Sequence, residues 1–330
     1  MEISVLLSVY NGEKWIYDSI QSVLNQTFTN FEFIIINDGS TDETKNIIEK
    51  FLVQDKRIRL INQPNLGLTP SLNNGLKIAK GKWIARIDCD DIALPERLER
   101  QYIYGEKTNA CLIGCQSKII DKNSKTINFV KVPTTHKKLV RNLKSQKKFF
   151  SHSSAFFKKE IVIREGGYRR ALIKSQDYDL WLRLSEVGTI CCINYIGVMI
   201  REHEDRISSS SFGLEQRIYA HCANISYLIR NKERHINDPL EGANNLLLEE
   251  FIKFVTDKLE KKSILDFYKK LYLYKKKKFK NNFNKNCKLI IIICSDIKFI
   301  YFLINWLIFG DFISQTIYKE WAMRKNIQTL

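Results

Sequence analysis

Residues 82–94 read KWIARIDCDDIAL, an apolar run that passes directly into a group of carboxylates. The run at residues 83–87 has the composition of a buried strand, and Asp88, Asp90 and Asp91 follow it at once. Aspartate is depleted in strands and an unpaired buried charge costs free energy, so these acids need compensation. A hard cation such as Mg²⁺ or Mn²⁺ would provide it, because such ions prefer oxygen ligands. An acidic turn that caps the next helix explains the same spacing, since helix N-termini favour Asp.

The first hundred residues alternate between apolar strands and amphipathic helices. The patterns predict strands at 3–9, 31–36, 58–61 and 83–87. They predict helices at 13–26, from the turn at 37–42 to about residue 52, and at 69–79, where Gly81 is a stop signal. This alternation predicts an α/β fold with a mostly parallel sheet and helices on both faces. Right-handed crossovers put all strand-end loops on one rim, where ligands of such sheets bind. We therefore expect Tyr10, Asp38, Asn65 and the acids at 88–91 to converge on one crevice.

The composition is that of a globular protein with a strong excess of positive charge. Apolar residues make up 44% of the 330 residues and charged residues 27%, and the net charge is +17. The excess is uneven, because residues 258–288 hold 12 Lys against Glu260 and Asp266, a net of +10. A block of this kind suits anionic lipid or nucleic acid, and it is also compatible with a solvated helix face.

Eight cysteines are present, and their spacing does not indicate a metal site. The nearest pairs, Cys111 with Cys115 and Cys191 with Cys192, do not form a CxxC pattern and no His cluster accompanies them. The N-terminus enters a strand directly, without the features of a secretory leader. We therefore expect a cytoplasmic, reduced protein whose thiols are small core residues.

The second hundred residues change character. Residues 111–131 suggest shorter strands, and residues 175–186, SQDYDLWLRLSE, place Leu180, Trp181 and Leu184 on one helical face with Asp177 in the first turn. Short strands are predicted at 189–193 and 195–200, before Arg201 and His203. From about residue 212 the pattern becomes helical, so we divide the chain into 1–211, with halves at 1–108 and 109–211, and a basic and apolar region at 212–330.

Residues 289–309 are the most apolar part of that region. A bilayer span needs about 20 such residues, but Asp296, Lys298 and Asn305 would be costly inside it. With the Lys run at 275–278 and its neighbouring aromatics, the segment favours an interfacial helix on an anionic membrane. A packing or oligomerising helix and a true span are the alternatives.

Four segments, in this order, resemble glycosyltransferase family 2, which has the GT-A fold. They are SVYNGEKWIYDSIQSVLNQTFTNFEFIIINDGSTDET at 8–44, NLGLTPSLNNGLKIAKGKWIARIDCDDIALPERL at 65–98, SQDYDLWLRL at 175–184 and IREH at 200–203. The resemblance covers about residues 1–205 and implies a GT-A catalytic domain with a nucleotide-sugar half and an acceptor half. It implies an inverting, metal-dependent enzyme of the bacterial surface-polysaccharide type. The expected donor is a nucleotide-diphosphate sugar, specifically a UDP-sugar, and the acceptor a hydroxyl of a glycan or lipid-linked glycan.

The resemblance also implies roles for individual residues. Asp177 matches the catalytic base, Asp90 the ligand of Mn²⁺ or Mg²⁺, and Asp88 a ribose contact or secondary metal ligand. Asp91 is expected to be structural. The other expected residues are Ser8, Tyr10, Asp38, Asn65, Gly67 and Arg201 for the nucleotide sugar, His203 for the metal shell or diphosphate, and His152, Ser154 and Gln176 on the acceptor side.

Two residues depart from the family pattern. Asn37 stands where an Asp usually precedes Asp38, and Gln176 stands where a Glu usually precedes the base. Neither change removes Asp38 or Asp177. Asp179 is an alternative base, although two positions along a helix are about 200° apart around its axis.

Other classes of protein give alternative hypotheses. A sugar nucleotidyltransferase also uses acidic metal sites on α/β sheets, but residues 10–13, YNGE, lack the Gly-rich basic loop that cradles a triphosphate. A non-catalytic nucleotide- or nucleic-acid-binding protein would explain the basic block and leave the acidic crevice unexplained, so no nucleic acid is expected. We expect a cytoplasmic enzyme, peripheral on the inner face of the cell membrane, which could form homo-oligomers.

Overall fold

In a computed structural model of the chain, the described residues are 1–204, 206, 212–232, 237–241, 245–261 and 312–328. They belong to two compact units, the first comprising Met1–Leu143 and Lys148–Glu204 and the second Lys144–Lys147 and Asp205–Leu330. The segments at 275–278 and 289–309, for which the sequence predicts membrane contact, lie outside the described residues.

The first unit begins with the alternation of strands and helices that the sequence predicts. Its elements are β1 (Ile3–Val9), α1 (Ile16–Leu24), β2 (Phe31–Asp38), α2 (Thr44–Gln54), β3 (Ile58–Gln63), α3 (Leu68–Ile78) and β4 (Trp83–Arg86). β1 lies between β2 and β4, β3 pairs with the other edge of β2, and all four strands are parallel. Every residue of β1 is buried, which explains its continuous apolar run. The predicted parallel α/β arrangement is confirmed in this part of the chain.

The rest of the first unit extends the same sheet with strands of both directions. Its elements are β5 (Ile92–Ala93), α4 (Arg97–Lys107), β6 (Ala110–Ile120), β7 (Thr126–Val130), α5 (His136–Lys144), a 3-10 turn (His152–Ser154), β8 (Phe156–Lys158), α6 (Lys159–Arg164), α7 (Gln176–Val187) and β9 (Thr189–Arg201). Within the described residues, nine strands form one sheet in the order β3-β2-β1-β4-β8-β6-β9-β5, with β7 on β6. β8 is antiparallel to both β4 and β6, and β9 is parallel to β6.

The prediction of short strands in the second hundred residues holds for β7, which has five residues, and is wrong for β6 and β9. β6 runs for 11 residues and β9 for 13, so the two predicted strands at 189–193 and 195–200 are one. The pairing of β9 with β6 shifts between Cys115 and Gln116, whose partners are Ile193 and Ile196. This irregularity accommodates the exposed Asn194 without ending the strand. In the sequence, the polar Asn194 suggests a break between two strands.

Gly81 has a different role from the predicted helix stop. α3 already ends at Ile78, and Gly81 lies against the backbone of β1, where its N–H donates to Ser4 Oγ at 2.8 Å. A Cβ at position 81 would lie 2.3 Å from the Ser4 nitrogen, so the close approach of the chain to β1 requires glycine.

The second unit contains the predicted helical region. Its described helices are α8 (Phe212–Lys232), α9 (Asn245–Lys261) and α10 (Phe312–Gln328). Buried Trp321 of α10 packs against Phe251 and Phe254 of α9, with ring centroids 5.0 Å away in both cases. Among the described residues, no helix is both long and apolar enough to cross a membrane.

A buried ion pair anchors α7 in the first unit. Asp179 is 0% exposed and accepts a hydrogen bond from Arg183 Nε at 2.9 Å. The guanidinium of Arg183 also donates to the carbonyls of Glu165 and Gly167, at 2.5 and 2.7 Å. The pair therefore ties α7 to the turn that follows α6.

We expect Asp179→Ala to lower the free energy of unfolding by about 3–5 kcal/mol, because it leaves the Arg183 charge buried without its carboxylate. Chemical denaturation measures this change. The matched control is Glu49→Ala, which removes the exposed pair with Lys45 (3.7 Å) and should cost at most about 1 kcal/mol. Equal losses in the two variants would contradict the anchoring role of the buried pair.

Candidate active site

The ends of β1, β2 and β4 meet on one rim of the sheet. Tyr10 follows β1 directly and its side chain is 50% exposed, whereas Asp38 closes β2 and Asp88 lies two residues beyond β4. These strands are parallel and in register, so their carboxyl ends open on the same side. The rim therefore combines an accessible aromatic ring with two loops that carry carboxylates.

Asp38 holds the loop at 65–67 in place. Its Oδ1 accepts hydrogen bonds from the backbone N–H of Leu66 and from Gln63 Nε2, at 2.9 and 2.7 Å, and its Oδ2 accepts one from the N–H of Gly67 at 2.8 Å. Gly67 has a φ of 89° at the start of α3, a conformation that favours glycine. Asp38 is therefore a buried anchor of the rim, and its predicted contact with a nucleotide base stays a prediction.

The acids that follow β4 are held by a serine and a buried arginine. Ser153 Oγ lies 2.7 Å from Asp88 Oδ2 and 2.5 Å from Asp91 Oδ2, and it accepts the N–H of Asp88 at 3.0 Å. Arg86 is fully buried and donates to Asp88 Oδ1 at 2.5 Å. Because the hydroxyl has a single proton, the two carboxylates share it, and Arg86 supplies the neighbouring positive charge.

A second buried arginine lies behind this loop. Arg97 donates to the carbonyl oxygen of Arg86 at 2.7 Å. Burial lowers the pKa of Arg97 to about 10, so its guanidinium remains charged at neutral pH. Two cations thus lie under the acidic loop, where they offset its negative charge.

Arg201, at the end of β9, supports the same loop from the other side. Its backbone N–H donates to Asp91 Oδ1 at 3.0 Å, its Nε to the carbonyl of Asp90 at 3.1 Å, and its guanidinium to Asp18 at 3.2 Å. The guanidinium lies over the ring of Trp15, 4.6 Å from the centroid. Arg201 is buried among these protein groups, and its contacts hold the loop in place. Its predicted contact with a nucleotide sugar stays a prediction.

Asp90 and His203 lie next to each other and are the candidate metal ligands of the crevice. His203 Nε2 lies 2.9 Å from Asp90 Oδ2, whereas Asp88 is engaged by Arg86 and Ser153. Burial raises the pKa of the neighbouring Cys89 well above its usual value, so that thiol stays protonated and is a poor ligand.

The described part of the chain contains no group of three or more His, Cys, Asp or Glu side chains arranged as a metal shell. A carboxylate oxygen and an imidazole nitrogen nevertheless suit Mg²⁺ or Mn²⁺, because such ions commonly take one or two protein ligands and complete their shell with phosphate oxygens and water. The residues present therefore fit a cation that is bound together with a diphosphate.

The 3-10 turn beside the acidic loop carries a neutral histidine with aromatic neighbours. His152 Nε2 lies 2.8 Å from the hydroxyl of Tyr168, and its ring meets Trp181 edge-on at 6.0 Å. Burial, reinforced by the charge of Arg86, lowers the pKa of His152 to about 3, so the ring is neutral at physiological pH. Asn73 fixes the backbone of Tyr168 through two hydrogen bonds of 2.7 and 2.9 Å.

Asp177 lies in the first turn of α7, after Ser175 turns the chain with a φ of 54°. Burial raises the pKa of Asp177 above its ordinary value and the charge of Asp88 raises it further, although the N–H of Tyr178 opposes this at 2.8 Å. A carboxylate with a raised pKa is a stronger base. Asp179 has no exposed surface and belongs to the Arg183 ion pair, so it is not placed to meet a substrate.

The remaining predicted residues are less clearly part of the crevice surface. Ser8 is buried in β1, and Asn65 is exposed on the rim loop. Ser154 is buried and its hydroxyl donates to the carbonyl of Ser151 at 2.8 Å, and Gln176 is buried at the start of α7.

The departure from the family pattern at position 37 is accommodated within the turn. Asn37 bonds Asn62 at 2.8 Å and accepts the N–H of Ser40 at 3.1 Å.

Sequence reasoning did not identify Trp15, Arg86, Ser153 and Tyr168 as parts of this site. Arg86 had a usable signal, because an arginine within the apolar run at 83–87 needs a buried partner. Trp15, Ser153 and Tyr168 had none, since their roles depend on contacts with residues that are distant in the sequence.

The fold and this arrangement of acids, with a candidate base in the same crevice, define a glycosyltransferase of the GT-A type. The sequence profile described as Glycosyl transferase family 2 matches residues 4–166. The O-antigen biosynthesis glycosyltransferase WbnJ of Escherichia coli is 32% identical over 245 residues, which cover 72% of this chain and 91% of that protein. The chain belongs to glycosyltransferase family 2.

Solved structures share this fold. TarS of S. aureus, residues 1–349 in complex with UDP-GlcNAc, has a TM-score of 0.56 at 19% identity, with 71% of this chain and 72% of that chain covered. The mannosyltransferase PcManGT from Pyrobaculum calidifontis, in complex with GDP-Man and Mn²⁺, has a TM-score of 0.53 at 17% identity, with 94% and 88% covered. At these identities the similarity establishes the α/β GT-A fold.

We expect Ser153→Ala to reduce kcat for sugar transfer by about tenfold to a hundredfold, because Asp88 and Asp91 lose their shared donor. Steady-state kinetics with saturating donor measure this effect. Ser154→Ala is the matched control, since it removes a buried hydroxyl of the same turn that bonds the carbonyl of Ser151 and the thiol of Cys115 and not the acids. A kcat that falls equally in both variants would show that the turn, and not the bridge to the carboxylates, is responsible.

Proposed function

We propose that this enzyme transfers a sugar, with inversion, from a nucleotide-diphosphate sugar to a hydroxyl of a glycan or lipid-linked glycan in cell-surface polysaccharide synthesis. The observation that carries the proposal is the acidic loop after β4, where Arg86 and Ser153 hold Asp88. In the same loop Asp90 lies 2.9 Å from His203. The name of the relative WbnJ supports a role in surface polysaccharide synthesis, and the UDP-GlcNAc and GDP-Man complexes of TarS and PcManGT support the class of donor. A UDP-sugar is the donor we expect.

The donor would bind along the rim of the sheet. The exposed ring of Tyr10 is available to stack on a base, and the loop at 65–67, anchored by Asp38, would border the same pocket. Asp88, held by Arg86 and Ser153, would meet the ribose. In this arrangement the buried cations keep the acids in place before the donor arrives, so little reorganisation is needed.

Asp90 and His203 would hold a divalent cation, Mn²⁺ or Mg²⁺, against the diphosphate. Bound there, the cation would stabilise the negative charge that grows on the leaving diphosphate. The Mn²⁺ complex of PcManGT supports this proposal for the family fold.

The acceptor would enter beside α7 and the 3-10 turn. Asp177 would take the proton of the attacking hydroxyl while the acceptor oxygen forms its bond to the anomeric carbon and the bond from that carbon to the diphosphate oxygen breaks. Attack from the face opposite the diphosphate inverts the configuration. The neutral His152, fixed by Tyr168, would orient the hydroxyl by hydrogen bonding without competing for its proton.

The location of the enzyme is part of the same proposal. A lipid-linked acceptor requires access to a membrane, so we propose that the enzyme is peripheral on the inner face of the cell membrane.

We expect Asp177→Asn to reduce transfer by about 10²–10⁴-fold while the affinity for the nucleotide is retained, because the amide cannot accept the proton. Product mass detection over a panel of nucleotide sugars measures transfer, and calorimetry measures nucleotide binding. Asp257→Asn, on an exposed position of α9, is the control and should be fully active. An active Asp177→Asn enzyme would refute the assignment of the base, and pyrophosphate release from a nucleoside triphosphate would favour a nucleotidyltransferase.

The pH dependence of transfer should follow the ionisation of Asp177. Its carboxylate form is the active one, so activity is expected to fall as the pH decreases through its raised pKa. The acidic limb of kcat should therefore lie above the usual range of a carboxyl group, about pH 4. A limb at or below that value, measured with saturating donor and acceptor, would contradict the raised pKa of the base.

A further inference from the structure

The β6–β7 hairpin presents large apolar side chains to solvent. Ile127 is 44% exposed and Phe129 is 52% exposed, although both belong to β7. Lys125 and Lys131 are exposed on either side of them, and Lys118 lies opposite Phe129 in the register of the two strands. An exposed aromatic and an exposed aliphatic side chain surrounded by lysines form an amphipathic patch, which we call the hairpin patch.

The charge of the hairpin itself is positive. Residues 118–131 contain four Lys against Asp121 alone, a net of +3. This excess is separate from the basic block at 258–288 and lies within the first unit. Positive charge of this density attracts an anionic surface, and the apolar side chains favour a partner that also removes them from water.

The hairpin lies at the same end of the sheet as the crevice. β9 pairs with one edge of β6 along its whole length, so β8 and β7 share the other edge, at Leu112–Ile113 and Ser117–Ile120 respectively. β6 is antiparallel to β8, and therefore its carboxyl half extends beyond the beginning of β8, where the 3-10 turn with His152 and Ser153 lies. β7 continues the sheet past this turn.

The hairpin is also tied to the acidic loop. Arg201, which supports Asp90 and Asp91, donates to Ser124 Oγ at 3.0 Å in the hairpin turn. The N–H of Glu202 donates to the carbonyl of Ile120 at 2.8 Å. A surface that binds the hairpin patch is thus held in a fixed relation to the candidate metal ligands.

We propose that the hairpin patch docks on a bilayer that contains anionic lipids, with Ile127 and Phe129 inserted at the interface and the lysines on the lipid phosphates. This inference rests on the proposed function, since docking would bring a lipid-linked acceptor to the open side of the crevice. A bilayer meets both requirements of the patch, because it offers negative headgroups and an apolar layer beneath them.

The test is flotation of the full-length chain with vesicles of phosphatidylcholine alone and of phosphatidylcholine with equal phosphatidylglycerol. The wild-type chain is expected to bind the anionic vesicles more strongly. Ile127→Ser with Phe129→Ser should weaken this binding by at least about tenfold, from the loss of two apolar side chains. Leu52→Ser with Val53→Ser is the matched control, since it removes apolar residues that are 38% and 89% exposed on α2 and should leave binding unchanged.

A second variant separates charge from insertion. Lys125→Glu with Lys131→Glu should weaken binding to anionic vesicles by at least about tenfold and leave binding to neutral vesicles unaltered. Wild-type affinity in both hairpin variants would overturn the proposal and assign any vesicle binding to other parts of the chain, such as the block at 258–288. A wild-type chain that does not float with anionic vesicles would overturn it as well.

Donor hydrolysis without lipid distinguishes this inference from the proposed function. The hairpin variants should hydrolyse the nucleotide sugar at the wild-type rate, because Ile127 and Phe129 lie outside the candidate catalytic residues. Hairpin-dependent vesicle binding in a chain without donor hydrolysis would support the docking surface and count against the proposed function. Intact donor hydrolysis with hairpin-independent vesicle binding would support the proposed function and overturn the docking surface.

Discussion

The contact between the buried Arg86 and the half-buried Asp88 is the constraint on which the rest of the site depends. A guanidinium with no exposed surface at the end of β4 requires a carboxylate, and Asp88 lies 2.5 Å away. Ser153 then joins Asp88 to Asp91, and in this way the acidic loop is fixed to the 3-10 turn that carries His152. The same buried charge helps to keep His152 neutral, so one ion pair influences both halves of the crevice.

Arg201 is the counterpart of Arg86 on the far side of the loop. It connects β9 to α1 through Asp18 and to the hairpin turn through Ser124, and it holds the backbone of Asp90. These contacts relate the position of the candidate metal ligand to elements more than 100 residues apart in sequence. A rigid acidic loop of this kind suits chemistry in which the protein must stabilise a developing charge without moving.

The sequence was informative where function and local pattern coincide. Buried parallel strands read as apolar runs, so β1 to β4 and the convergence of their loops could be predicted, and the acids after β4 stood out because strands avoid Asp. Long-range contacts could not be predicted. Nothing in the local pattern indicates that Ser153 bridges two carboxylates, that Asp38 is an anchor of the 65–67 loop, or that Gly81 packs on Ser4. The strands β6 and β9 were predicted to be shorter than they are. In β9 a polar residue looks like a strand end in the sequence, whereas the pairing with β6 shows a bulge there.

We propose that the sugar is attacked from the side of Asp177, opposite a diphosphate held near Asp90. Proton NMR of the transfer product tests this mechanism, because it reports the configuration at the anomeric carbon of the transferred sugar. A single attack predicts the configuration opposite to that of the donor, from the earliest time point onward. Retention of the donor configuration would contradict the roles given to both sides of the crevice.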